Sequence, residues 1–213
     1  MRIHNKAAAL FAILIILLFS FIVYWGTTKP VDVVIQAGHE GRITGNTGAE
    51  GAQYREEQWN IIVADEVSRQ LREWNIEVTR IPAKVHFLRA RIAVSIHFDG
   101  AKIPCNSGAS IGYPNTHSYM FAQRWKKLYA QYFPFHWHKD NFTRNLKQYY
   151  AYKWIRAEEF LILELGEITC EKQTAWLKPR LKKIAGLIAY TIAKELGKEV
   201  PEPSWKPLNK KTG

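Results

Sequence analysis

The sequence predicts a single α/β domain with a largely parallel twisted sheet flanked by helices, preceded by an N-terminal transmembrane helix. Three observations predict it. Short apolar runs alternate along the chain with stretches of helical periodicity, the pattern of strand–helix–strand units. One of these runs, Phe160–Leu165, is apolar except at Glu164, as expected of a central strand covered on both faces. The stretch Ala7–Trp25 holds 19 residues and no charge.

The elements follow in order. Residues 1–6 carry Arg2 and Lys6 and are expected on the cytoplasmic side. Ala7–Trp25 would span about 28 Å as a helix, close to the hydrocarbon thickness of a bilayer. Tyr24 and Trp25 suit the membrane interface, and no small-x-small cleavage site follows, which favours an uncleaved anchor over a signal peptide. Residues 26–30 form a linker. The folded domain is expected over 31–198. Within it, Val31–Ile35 predicts a strand running into the glycine-rich stretch Gly38–Gly51. Trp59, Ile62, Val63, Val67 and Leu71 predict a helix over Glu56–Trp74. Strands are expected at Ile76–Thr79, Ala90–Phe98 and Ala109–Tyr113, and helices at Ser118–Tyr132 and Pro179–Leu196. The tail, residues 199–213, is rich in Pro and Lys and is expected to be disordered.

The chain has 213 residues and a formal net charge of +11, from 30 Lys and Arg against 19 Asp and Glu. Only Arg2 and Lys6 precede the apolar run, so the excess belongs to the folded part. Such a surface favours polyanionic surroundings: nucleic acid, anionic lipid or acidic wall polymers. Charge alone does not choose among them. Cys105 and Cys170 are too few for a disulfide framework; one bridge or two separate thiols both fit.

In open α/β sheets, sites gather at the carboxyl ends of the strands. His39 follows the first expected strand, His97 ends the Ala90–Phe98 strand, and Glu164 lies near the end of Phe160–Leu165. Glu56 opens the first long helix. Two imidazoles and a carboxylate with an open fourth position make a catalytic zinc set, and a second carboxylate beside them moves protons. The same positions also suit hydrogen-bonded structural residues, and placement alone leaves both readings open.

Five segments, in order, carry a resemblance. Val33-Val34-Ile35-Gln36-Ala37-Gly38-His39-Glu40-Gly41 resembles the strand–Gly-His-x-Gly entry of the zinc-dependent N-acetylmuramoyl-L-alanine amidases. Arg55-Glu56-Glu57-Gln58-Trp59-Asn60 is similar to that family's Glu followed four residues later by Asn. Val78-Thr79-Arg80 resembles its strand end, Ser95-Ile96-His97-Phe98-Asp99-Gly100 its Ser-x-His-x-Asn-Ala segment, and Leu163-Glu164-Leu165-Gly166 its Glu-x-Gly stretch. The similarity runs from about Val31 to Leu196.

The resemblance implies a Zn²⁺ ion held by His39, Glu56 and His97, with Glu164 as catalytic acid/base. It implies peptidoglycan as substrate, cut between N-acetylmuramic acid and L-alanine, and no nucleic-acid partner. With the anchor, it places the catalytic domain outside the cytoplasm, on the periplasmic face of a bacterial inner membrane. A regulatory protein partner stays open. Gln36 stands where the family usually has Asp, Glu40 where it often has Gly, Asp99 for Asn, and Glu167 for an apolar residue. Arg80 to His97 is short by most of one helix. Glu57 competes with Glu56 as ligand and Glu167 with Glu164 as base; spacing to Asn60 and the apolar flanks of Glu164 favour the assignments given. His136-Trp137-His138 reads as a solvated turn before a second metal site. The ten aromatics between Tyr129 and Trp154 read as core and groove packing. A cell-wall zinc peptidase or deacetylase, or a non-catalytic peptidoglycan-binding protein, are the alternative functions.

Overall fold

The structure, a computed structural model, describes residues 10–20 and 29–208. Residues 10–20 are helical; the rest of the expected Ala7–Trp25 anchor lies outside the described residues. Among the described residues, no helix is long and apolar enough to cross a membrane. The chain divides into two units, Met1–Pro30 and Val31–Gly213.

The second unit is built on one mixed five-stranded sheet. Its strands are β1 (Val31–Ala37), β2 (Val78–Ile81), β3 (Leu88–Asp99), β4 (Ala109–Gly112) and β5 (Ile155–Glu167), in the order β2-β1-β3-β5-β4. The pairings β1–β2, β1–β3 and β3–β5 are parallel, and only β4 runs antiparallel, on the edge beside β5. The largely parallel sheet expected from the sequence is therefore present.

Side-chain alternation sorts each strand between two layers. Val33, Ile35, Ile92, Val94, Ile96, Leu161, Leu163 and Leu165 point into the larger core. That core is closed by α1 (Glu56–Glu73) and, later in the chain, by α2 (Tyr119–Tyr129) and α5 (Leu181–Glu195). In α1, Trp59, Val63, Val67 and Leu71 recur at helical spacing and are buried. Glu56 and Glu57 sit in its first turn, where carboxylates complement the helix dipole. Val34, Ala93, Phe160 and Ile162 point the other way, into a smaller core with Leu146, Tyr149 and Ala151. The short α3 (Arg144–Lys147) supplies Leu146, a 3-10 turn at Tyr150–Lys153 supplies Ala151, and Tyr149 lies between them.

Only residues 82–87 join β2 to β3, so the helix expected to be missing between Arg80 and His97 is indeed missing. The connection bends at Ala83 and Lys84, and Val85 and Leu88 pack against the smaller core. Ala83 N–H donates to the Glu40 carbonyl at 3.2 Å and Leu88 N–H to the Trp154 carbonyl at 3.0 Å.

Three differences from expectation have physical causes. Helix α4 (Glu171–Leu177) has seven residues, too few for a periodic pattern to show. β5 begins at Ile155, well before its apolar run, because its first residues form the exposed end of the sheet. The tail expected to be disordered is docked as far as Leu208. The Trp205 ring lies 4.5 Å from that of Tyr132 and 5.8 Å from that of Trp176, and Leu208 N–H donates to the Gln131 carbonyl at 3.1 Å. One tryptophan outweighs a polar composition when it has an aromatic bed to bury against. Cys105 and Cys170 are disulfide-bonded, with 4.6 Å between their Cα atoms.

Candidate functional site

At the carboxyl end of β1 the chain turns sharply. His39 adopts a left-handed backbone with φ of 64°, uncommon for a residue other than glycine. Its Nδ1 lies 2.9 Å from the Asn46 carbonyl, so Nδ1–H donates there and Nε2 is left facing Glu56 Oε1 at 3.3 Å. Gly38 permits the turn to pass His97: a Cβ at that position would lie 2.1 Å from His97 Cε1. His97 comes from β3 and places Nδ1 2.9 Å from the same Glu56 oxygen. Glu56 arrives from the first residue of α1. Its second oxygen, Oε2, accepts from Ala49 N–H at 2.8 Å, and Asn60 Nδ2 donates to Oε1 at 3.3 Å. The four-residue spacing to Asn60 thus serves one turn of helix, with Asn60 also tied to the Gly38 carbonyl at 2.9 Å.

One donor atom from each of His39, Glu56 and His97 lies within 4.8 Å of the others, and all three residues are buried. Among the described residues no other cluster of three or more His, Cys, Asp or Glu side chains is close enough to share an ion. His136 and His138 therefore stay outside any such cluster; His138 Nε2 instead meets Ser107 Oγ at 2.9 Å. The N₂O donor set fits Zn²⁺, with room for a fourth ligand.

The electrostatics suit a cation. Burial would push the Glu56 carboxyl up, but hydrogen bonds and charge from His39 and His97 hold it well below the usual carboxylate range. Burial pulls His97 below the usual imidazole value, against the attraction of Glu56. Burial would lower His39 as well, but its contact with Glu56 raises it above the usual imidazole value. A metal ion would bind the carboxylate and the deprotonated forms of both imidazoles.

Glu164 sits on β5 directly across from His97 in the β3–β5 register, and across from Ser110 of β4. It is half-buried. Burial first, then the charges of Glu56 and Asp99, raise its carboxyl well above the usual range. The competing acids are occupied elsewhere. Glu57 accepts from Gly41 N–H at 2.9 Å. Glu40 pairs with Arg80 at 2.6 Å. Glu167, fully buried, accepts from Cys105 N–H at 2.8 Å, Ser107 N–H at 2.6 Å and Thr169 Oγ1 at 2.5 Å. That carboxylate organises the 101–108 loop, which the disulfide ties to Cys170 at the start of α4.

Residues 33–194 match the family model described as N-acetylmuramoyl-L-alanine amidase. The chain belongs to that family. Solved structures of amidases share its fold. The catalytic domain of CwlV from Bacillus (Paenibacillus) polymyxa var. colistinus is 22% identical with a TM-score of 0.63, covering 79% of this chain and 99% of that one. AmiC2 of Nostoc punctiforme is 18% identical with a TM-score of 0.62, covering 80% and 99%. CwlD of Clostridioides difficile, solved in complex with the GerS lipoprotein, is 18% identical with a TM-score of 0.59, covering 78% and 97%. No curated protein matches the chain by sequence.

Tyr149 and the role of Gln36 escaped sequence reasoning. Tyr149 Oη lies 2.9 Å from His97 Nε2 and donates to Gln36 Oε1 at 3.0 Å. The only sequence signal was Gln36 itself, a departure from the family's usual Asp.

Proposed function

We propose that this amidase uses His39, Glu56 and His97 to hold Zn²⁺ and Glu164 to transfer protons, cleaving peptidoglycan between N-acetylmuramic acid and L-alanine. The observation that carries this reading is Glu164 in register with His97, beside the three converging donors. Bound zinc supplies Lewis acidity toward the scissile carbonyl and acidifies a water. Glu164 takes the water's proton and returns it to the departing amine of L-alanine.

The location follows from two supports. The uncharged Ala7–Trp25 run behind Arg2 and Lys6 favours a single-pass anchor in the cytoplasmic membrane with an exported domain. The Cys105–Cys170 bridge is at home in an oxidising compartment. The test is mass spectrometry of peptidoglycan digested by the full chain. New free L-alanine amino groups without new reducing sugar ends are expected. Shortened peptides still linked to muramic acid would overturn the bond assignment.

A further inference from the structure

The hydrogen bonds behind His97 form a chain whose direction is fixed from its far end. Tyr150 Oη donates to the carbonyl of Ala83, which only accepts. Its single hydrogen is thereby used, so towards Gln36, at 2.8 Å, the Tyr150 oxygen must accept. The Gln36 group facing it is therefore the amide nitrogen, which also points at the Pro82 carbonyl at 3.5 Å, and the carbonyl oxygen faces Tyr149 and Ser95. Ser95 Oγ donates to that oxygen at 2.6 Å and Tyr149 Oη at 3.0 Å. Tyr149 has then spent its hydrogen as well, and its oxygen accepts from His97 Nε2 at 2.9 Å. Nε2 must carry the proton. Nδ1 is left with its lone pair, 2.9 Å from Glu56 Oε1. A lone pair facing a carboxylate is repulsive unless a cation lies between them.

We propose that the Ala83 carbonyl, acting through Tyr150, Gln36 and Tyr149, fixes the tautomer of His97 and dedicates its Nδ1 to the metal. This rests on the reading of His97 as a zinc ligand. Tyr149, Gln36 and Tyr150 are positioning residues; none reaches the reacting atoms. Glutamine suits the second position because its amide presents an acceptor to Tyr149 and a donor to Tyr150 at once. A carboxylate there could accept from Tyr149 but not donate to Tyr150, whose hydrogen would then be contested between it and the Ala83 carbonyl. The surroundings support a built relay rather than incidental contact. Gln36 and Ser95 are fully buried, Tyr149 nearly so, and the His97 and Tyr149 rings meet edge-on at 5.5 Å.

The test compares the full chain with Tyr149→Phe and Tyr150→Phe. Zinc affinity is measured by chelator competition, and the His97 nitrogens are assigned by ¹⁵N NMR of the zinc-loaded protein. In wild type, Nδ1 should be the coordinating nitrogen, with a slowly exchanging proton on Nε2. Tyr149→Phe keeps the ring but removes the acceptor, and zinc affinity should fall about 10–100-fold, the usual cost of losing such a partner. Tyr150→Phe leaves the Tyr149–His97 contact in place and removes the nearer of the two acceptors that orient the Gln36 amide, the farther being the Pro82 carbonyl at 3.5 Å; a smaller loss of affinity is expected. That second variant carries the test should the first fail to fold. Coordination of wild-type His97 through Nε2, or wild-type zinc affinity in the Tyr150→Phe protein, overturns the relay. A wild type that takes up no zinc overturns the metal-site reading beneath it.

Discussion

Glu164 and His97 face each other across the parallel β3–β5 ladder, one on each strand, on the same side of the sheet. Two backbones locked by a hydrogen-bond ladder hold the two side chains, so their separation does not depend on loop conformation. Side chains carried on strands keep catalytic geometry more closely than side chains on loops.

Glu164→Gln keeps the shape but cannot accept a proton. Turnover should fall by about 10²–10⁴-fold while zinc content stays near that of wild type. Metal analysis beside a turnover assay checks both. Activity close to wild type would remove Glu164 from the proton-transfer role.

Glu167 should behave in the opposite way. Glu167→Ala leaves Cys105 N–H and Ser107 N–H without their acceptor. Ser107 is buried and Cys105 is exposed, so the lost bonds to a charged acceptor cost about 2 kcal/mol, most of it at Ser107. Thermal unfolding should show the loss, with activity per folded molecule largely kept.

The proton affinity of Glu164 makes a stability prediction for the metal-free protein. Its folded value is raised, so the unfolded chain releases this proton first. The stability it contributes is full below the unfolded value, about pH 4.3, and declines as pH rises through the folded value. Metal-free Glu164→Gln should therefore gain in melting temperature over metal-free wild type as the pH is raised above that point. A gap that is constant with pH would count against the raised value.

Gly38→Ala would drive a methyl group into the His97 imidazole, 2.1 Å from Cε1 with no adjustment. Zinc affinity should drop more steeply than global stability, because the ring must move off Glu56. Chelator competition and thermal melts on the same preparation separate the two effects.

The Cys105–Cys170 bridge closes 65 residues of sequence. Chain entropy assigns such a cross-link about 4 kcal/mol. Reduction, or a Cys105→Ser/Cys170→Ser pair, should lower the melting temperature and raise hydrogen exchange at the Cys105 and Ser107 amides first. Unchanged exchange there would mean Glu167 alone holds the loop.

What was legible in the sequence was what lies close in sequence or at strand ends. The first strand, its Gly38-His39 turn and the helix opening at Glu56 were visible because apolar alternation and glycine mark them locally. Glu164 was visible as a lone acid inside an apolar strand. The Tyr149–Gln36 contact joins residues 113 apart and obeys no spacing rule. Tyr149 looked like any other member of an aromatic-rich stretch. The pairing of the two cysteines was undecidable from count alone, and the docking of Trp205 was hidden by the polarity of its neighbours. The edge strand β4 showed its position but not its direction, since four residues carry no signature of antiparallel pairing.

Connections between strands ordinarily tolerate insertion, because surface chain can bulge outward without disturbing what it joins. Residues 82–87 have lost that latitude. Ala83 is pinned by its amide to the Glu40 carbonyl and by its own carbonyl to Tyr150, and Leu88 is pinned to Trp154. One added residue between Ile81 and Ala83 would move the terminal acceptor and reverse or break the hydrogen-bond order behind His97. A segment of six residues that supplies no metal ligand thus becomes intolerant of length change.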